Sequence, residues 1–324
     1  MTATIQTALG PVPAAALGVT FMHEHVINVN PGIWRSWPEL LGGRDAFLDR
    51  ATAKLRALKE EGGVQTIVDL SSFDIGRDGE LLKAVAARAG VNIIASTGHH
   101  QMFTLTTRGL STEQFEHWFT REIEAGVDGT DCRAGVIKVA SDKGGVTPEE
   151  ERVLRAAGRV SVRTGTPIYA HSFAPGRVGL QQLDILSAEG VPAANVCIGH
   201  SDDLAHLAYT VELARRGCWI GLDRYPGGPL HHGESEADWK ERAELLARLA
   251  AEGFAGQLLL SHDSSIGLTM PSPAAVRRYF ADHPDGLLFI HRHVIPHLIR
   301  LGVAESEIGK ILTDNPRRFL TCAR

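Results

Sequence analysis

The sequence predicts a closed parallel (β/α)8 barrel of the TIM class. A single domain spans residues 1–324, with a short N-terminal hairpin and C-terminal helices. Three observations predict it. Eight short apolar, β-branched runs alternate with longer segments of helical period. Those runs are nearly continuous in apolar character, as strands covered on both faces must be. No Gly-x-Gly-x-x-Gly fingerprint follows the first run and no shift of composition marks a second domain, which disfavours a doubly wound open sheet.

Taken in order, Thr4 to Thr7 and Pro11 to Ala15, joined at Leu9-Gly10, read as the leading hairpin. The first main strand runs from Val19 to Ile27, followed by a Trp-, Pro- and Gly-rich loop from Pro31 to Gly43 and a helix from Ala46 to Glu61. Strand two is Val64 to Leu70 with a helix from Gly79 to Ala89, and strand three is Asn92 to Thr97 with a helix from Thr112 to Ala125. Strand four is Gly135 to Ala140. Its helix opens at Thr147-Pro148-Glu149-Glu150, where a threonine cap, a proline at the first helical position and a glutamate three past the cap form a strong start signal. Strands five to eight are Pro167 to His171, Val196 to His200, Cys218 to Asp223 and Leu258 to Asp263, and the tail from Pro273 to Thr321 is largely helical.

Composition narrows the function. The chain is 44% hydrophobic and 22% charged, enough for a sizeable core. Net charge is −5 with no Lys/Arg-rich run, and aromatics reach only 6%, so neither nucleic acid nor an anionic membrane is the expected partner. Four cysteines lie far apart without a Cys-x-x-Cys pair, which reads as reduced thiols. The N-terminus lacks a basic region and a long apolar stretch, and no segment approaches the length of a membrane span. The expectation is a cytoplasmic protein acting on a small-molecule substrate.

Barrel enzymes carry their chemistry at the C-terminal ends of the strands. There the sequence places His23 and His25 on strand one, Lys138 on four, His171 on five, His200 on six and Asp263 on eight. His23 and His25 sit at i and i+2, so one strand can aim two imidazole donors the same way. Singly, each residue has an ordinary reading: an interior hydrogen-bonded histidine, an outward-reaching lysine, a helix-capping aspartate. Their coincidence at one rim is what those readings leave unexplained.

Seven short motifs then carry a resemblance: Leu17 to His25, Gly135 to Ser141, Ala170-His171-Ser172, Ile198 to Asp203, Gly221 to Tyr225, Ser261-His262-Asp263 and Asn315 to Leu320. In this order, across nearly the whole chain, they resemble the phosphotriesterase family of the amidohydrolase superfamily, including its lactonase-like branch. The resemblance implies a site for two divalent metal ions. His23, His25 and Asp263 would hold the more buried ion, and His171 with His200 the more exposed one. Lys138, carboxylated by carbon dioxide, would bridge both as a carbamate. Four imidazoles and two anionic oxygen donors suit Zn²⁺ best, and Co²⁺, Mn²⁺ or Fe²⁺ also fit.

The reaction so implied is hydrolysis, with a metal-bridging hydroxide attacking a lactone, an activated ester or an organophosphate triester. Asp263 would orient that hydroxide and move its proton. Asp203, after the fourth histidine, is either a relay carboxylate or a helix cap. Arg224 and Tyr225 resemble substrate-contacting residues of the lactonase-like branch, or are rim polarity. Where that branch places an aromatic residue over the metals, this chain reads Thr97-Gly98-His99-His100, so His100 is a substrate-contacting residue, an acid/base group or a polar filler, and long-chain acyl lactones are disfavoured as substrates. The loop from Pro226 to Glu236, with His231 and His232, has the composition of a lid, and Trp34 and Trp37 either line the pocket or pack elsewhere. A deacylase of small N-acyl amides is the alternative activity, and a homodimer is compatible with the family.

Overall fold

The computed structural model describes residues 3–226, 237–268 and 272–321. The hairpin pairs β1 (Thr4–Thr7) with β2 (Gly10–Pro13), antiparallel. A parallel sheet follows: β3 (Val19–Asn28), β4 (Val64–Asp69), β5 (Asn92–Gly98), β6 (Val136–Ala140), β7 (Ile168–His171), β8 (Val196–Ile198), β9 (Trp219–Leu222), β10 (Leu258–Leu260) and β11 (Ser264–Leu268). Strand order is β10-β9-β8-β7-β6-β5-β4-β3-β11. Since β10 pairs with β9 and β11 pairs with β3, the eighth position is one broken strand that shuts the ring. The fold is the expected barrel.

The break falls at residues 261–263, so the eighth strand ends at Leu260 instead of Asp263. Asp263 adopts φ 54 and cannot continue an extended ladder. Backbone bonds remain from Ser261 N–H to Leu222 O at 3.2 Å and from Asp263 N–H to His23 O at 2.9 Å, and beside them the Ser261 hydroxyl accepts from the His23 N–H at 2.9 Å and lies 2.9 Å from the His23 carbonyl. His200 ends its strand in the same way, at φ 56. Left-handed backbone at non-glycine residues costs energy and concentrates at functional sites.

A bulge completes the first strand. Phe21 pairs with Ile67 and Glu24 with Asp69, so β3 carries one residue more than β4 across this interval. That extra residue lets both Met22, in the interior apolar cluster, and His23 face the barrel axis. The interior cluster gathers Met22, Val68, Ile94, Val136, Tyr169 and Leu259, and Phe319 and Leu320 pack onto it from the C-terminal helix. A larger layer of apolar side chains lies between strands and helices.

The helix Pro148–Thr164 starts as its sequence predicts, with Thr147 and Glu150 exchanging side-chain-to-backbone hydrogen bonds. The stretch from Pro31 to Gly43 is not all loop: it forms a helix, Pro31–Ser36, and a 3-10 turn, Pro38–Leu41. Asn30 explains the difference, because its Oδ1 accepts from Gly32 N and Ile33 N directly ahead of a first-turn proline. Cys132, Cys197 and Cys218 are buried free thiols, and no described helix is long and apolar enough to cross a membrane.

Candidate metal centre

The six side chains singled out at the strand ends meet at the C-terminal mouth. Donor atoms of His23, His25 and Asp263 all lie within 4.8 Å of one another. His25 Nε2 is 3.0 Å from Asp263 Oδ1, and His23 Nε2 is 3.3 Å from the same oxygen. Lys138 Nζ lies 3.1 Å from His23 Nε2. On the far side His171 Nδ1 and His200 Nε2 are 2.9 Å apart, and His200 Nε2 is 4.0 Å from Asp263 Oδ2. Ligand atoms sharing a tetrahedral ion at 2.0–2.2 Å sit roughly 3.3–3.6 Å from each other, so this spacing fits a metal-binding donor set.

The other ring nitrogens are tied down, which aims these edges inward. Asp223, at the end of β9, accepts from His23 Nδ1 at 2.8 Å and His200 Nδ1 at 2.9 Å, as well as from the His200 backbone N–H at 2.8 Å. A carboxylate on Nδ1 fixes the tautomer that leaves Nε2 available and raises its basicity. Tyr169 donates to Asp223 Oδ2 at 2.5 Å, and two glycines make room for that contact. A Cβ on Gly221 would lie 2.6 Å from the Tyr169 hydroxyl, and one on Gly199 would lie 3.0 Å from Asp223 Oδ2. His25 Nδ1 rests 2.9 Å from Ser71 Oγ, whose hydroxyl donates to Ile27 O. Asp223 was not among the residues read from sequence, although an aspartate closing an apolar strand run is the same signal that Asp263 gave.

Burial dominates the charge states. It pulls the Lys138 ammonium down to about 8 against the opposing attraction of Asp263 and Asp223. Burial, reinforced by Lys138, takes His23 to about 3. His171 is held well below its usual value by burial and then by His200. For Asp263, burial pushes the other way, yet the surrounding histidines, His23 foremost, keep it well below the usual carboxylate range. The cluster thus holds His23 and His171 as neutral rings beside an ionised Asp263 and an easily deprotonated Lys138.

Arg224 joins the mouth to a second charged group. Its Nε is 3.4 Å from Asp263 Oδ2 while Nη1 pairs with Asp203. The fully buried Arg242 stands behind, its Nη1 3.2 Å from both Asp202 Oδ2 and Asp203 Oδ1. Neither aspartate caps the next helix, Leu207–Arg215, whose first turn is capped by His206. Of the two roles left open for Asp203, capping is therefore not the one this fold uses. His100 packs edge-on to His171 with centroids 4.9 Å apart, its backbone N–H held by both Asp74 oxygens at 3.1 Å. His99 is buried and stacked on Phe103. Tyr225 is only 1% exposed and its phenol feels the charges of Asp202 and Arg242. Trp34 packs on Phe47 and donates to Asp78, whereas Trp37 is 56% exposed. His231 and His232, with the lid expected around them, lie outside the described residues.

A closed parallel barrel with imidazoles, a lysine and carboxylates converging at its C-terminal mouth defines a barrel enzyme with a candidate metal centre. The chain belongs to the phosphotriesterase family, whose model matches residues 3–320. It is 36% identical to a phosphotriesterase homology protein of Mycobacterium tuberculosis over 97% of each chain, and 32% identical to an aryldialkylphosphatase of Saccharolobus solfataricus over 94% of this chain and 95% of that one. An N-acetyltaurine hydrolase of Danio rerio aligns at 26% identity over 98% of this chain and 97% of its own. Among solved structures, the phosphotriesterase from Mycobacterium tuberculosis superposes with a TM-score of 0.89 and 35% identity, covering 98% of both chains. The family and its named relatives make this chain a hydrolase.

Proposed function

We propose that this hydrolase holds two divalent cations and cleaves lactones, activated esters and organophosphate triesters. One observation carries the reading: four imidazoles, Lys138 and Asp263 converge on a single space, with the Nδ1 edges of His23 and His200 anchored on one carboxylate. His23, His25 and Asp263 would hold one ion and His171 with His200 the other, Lys138 contributing as a carbamate formed with carbon dioxide. Zn²⁺ suits the donor set, as do Co²⁺, Mn²⁺ and Fe²⁺. When bound, the ions supply Lewis acidity that activates water and polarises the scissile carbonyl or phosphoryl oxygen.

The chain does the rest. Asp263, with 13% of its side chain exposed at the mouth, is placed to take the proton of the attacking water and return it to the leaving group. Arg224 fixes the second Asp263 oxygen. A guanidinium does not give up its proton, so Asp203 acts here by orienting Arg224 and not by passing a proton through it. His100 would contact the substrate from above His171.

A second reading, deacylation of small N-acyl amides, is favoured by His100, which sets a hydrogen-bonding ring where the lactonase-like branch carries an aromatic. The N-acetyltaurine hydrolase relatives point the same way. Turnover of an acyl lactone, an aryl ester, a paraoxon-like triester and an N-acyl amide by protein purified without chelators separates the two. Activity on the first three supports the leading reading, activity confined to the amide supports the second, and inactivity on all four with metal bound overturns both.

A further inference from the structure

Between the two strand-one histidines stands a carboxylate that the proposed chemistry does not use. Glu24 is buried and points away from the mouth, to the outer side of β3. Its Oε1 accepts from His262 Nδ1 at 2.6 Å and from the His262 backbone N–H at 3.1 Å, and its Oε2 accepts from Ser264 N at 3.0 Å. The Ser261 hydroxyl lies 2.8 Å from Oε1 and shares its proton between that oxygen and the His23 carbonyl. One side chain therefore grips the residues on both sides of Asp263.

The tautomer of His262 follows from its other contact. Ile290 N donates to His262 Nε2 at 3.2 Å, so Nε2 is the unprotonated nitrogen and Nδ1 carries the hydrogen given to Glu24. Ile290 begins the π-helical turn Ile290–Val294, where a wide turn leaves amides in need of outside acceptors. His262 satisfies one of them. Asp263 itself sits at φ 54, a conformation that an aspartate holds only when its surroundings impose it. Its own N–H donates to His23 O at 2.9 Å, which pins it to the strand that carries Glu24.

We propose that Glu24 and His262 form a positioning pair that imposes the left-handed backbone at Asp263 and so sets the carboxylate against His25, His23 and Arg224. Glu24 touches no reacting atom. It acts through Asp263, and this inference rests on the reading of Asp263 as a metal-binding and proton-handling group.

Cobalt supplies the test. Metal-free protein is titrated with Co²⁺ alone, following the visible absorption band and the affinity, for wild type, Glu24→Gln, Asp263→Asn and the double variant. A glutamine at position 24 turns an NH2 toward donors that need an acceptor. Glu24→Gln is expected to stay folded, to bind Co²⁺ about 10–100-fold more weakly and to change the band. In the double variant the loss is expected to add nothing to that of Asp263→Asn, as befits a residue acting through another. Wild-type affinity and spectrum in Glu24→Gln, or full additivity, would overturn the proposal.

Should Glu24→Gln fail to fold, position 262 decides. His262→Asn keeps an N–H donor where Nδ1 stands and is expected to retain Co²⁺ affinity within about threefold, whereas His262→Leu is expected to lose it as Glu24→Gln does. Equal loss in both histidine variants sinks the idea. Inactivity of the wild type on every substrate would remove the proposed reaction, while the cobalt titration would still decide the role of Glu24.

Discussion

Lys138 and His23 meet nitrogen to nitrogen at 3.1 Å inside the barrel mouth. Because His23 Nδ1 is engaged by Asp223, the contact falls on Nε2, the edge turned toward the candidate metal position. Burial lowers the pKa of the Lys138 amine to about 8 against the attraction of Asp263 and Asp223, and a readily lost proton is the condition an amine needs before it can react with carbon dioxide. Lys138→Ala is expected to lower metal content and to cut turnover by about two orders of magnitude or more. Unchanged turnover, measured without added short-chain carboxylate, would refute Lys138 as a bridging group.

Asp223 is expected to matter nearly as much without touching substrate. Asp223→Asn replaces an acceptor with a group that presents an N–H to donors. It leaves the His23 and His200 rings free to take the wrong tautomer. Metal affinity should fall about 10–100-fold with the barrel intact, checked by metal analysis after dialysis alongside far-UV circular dichroism. Full retention of metal would show that the rings are held by packing alone.

A substitution above the candidate metal centre should behave differently. His100→Ala is expected to shift preference among the substrate panel, by about tenfold or more in relative kcat/KM, while metal content stays at the wild-type level. Loss of metal in that variant would mean that the pocket lies elsewhere.

A pH effect remote from the site follows from His291, which packs against Phe21 and Gly62. Burial, and then His262, lowers its pKa from 6.5 to about 4. The unfolded chain therefore takes up this proton first as pH falls. The stability tied to the neutral ring is present above pH 6.5 and is lost as pH drops toward 4. Discounted for partial exposure, the effect is about 1–2 kcal/mol. His291→Leu should melt about 2–4 °C above wild type at pH 4.5 and close to it at pH 8. An equal difference at both pH values would mean that the proton is not involved.

Much of this was legible in the chain itself. The histidines, the lysine and Asp263 announce themselves because each interrupts an apolar run at a strand end, where a polar group is costly without a purpose. The capping signal at Thr147-Pro148 placed a helix start for the same kind of local reason. What stayed hidden depends on pairing across the fold. Glu24 looks like any strand-embedded carboxylate until His262, 238 positions away, is in place, and Asp223, though it closes an apolar run as Asp263 does, shows what it is for only once His23, 200 positions away, stands beside it. Arg242 reads as one more charge on an amphipathic helix, yet its guanidinium is buried between Asp202 and Asp203. The break in the eighth strand was equally invisible, since Ser261, His262 and Asp263 extend an apolar run without any glycine or proline to mark where it ends.

The shared anchor at Asp223 also bears on how such a centre can diverge. With one hub behind a ring from each half of the cluster, retuning one half through that hub drags the other along. Independent adjustment has to come from the private supports: Ser71 behind His25, and Gln182, whose amide donates to the His171 carbonyl at 2.8 Å. Relatives that changed metal preference while keeping an aspartate here would be expected to carry their differences at those two places.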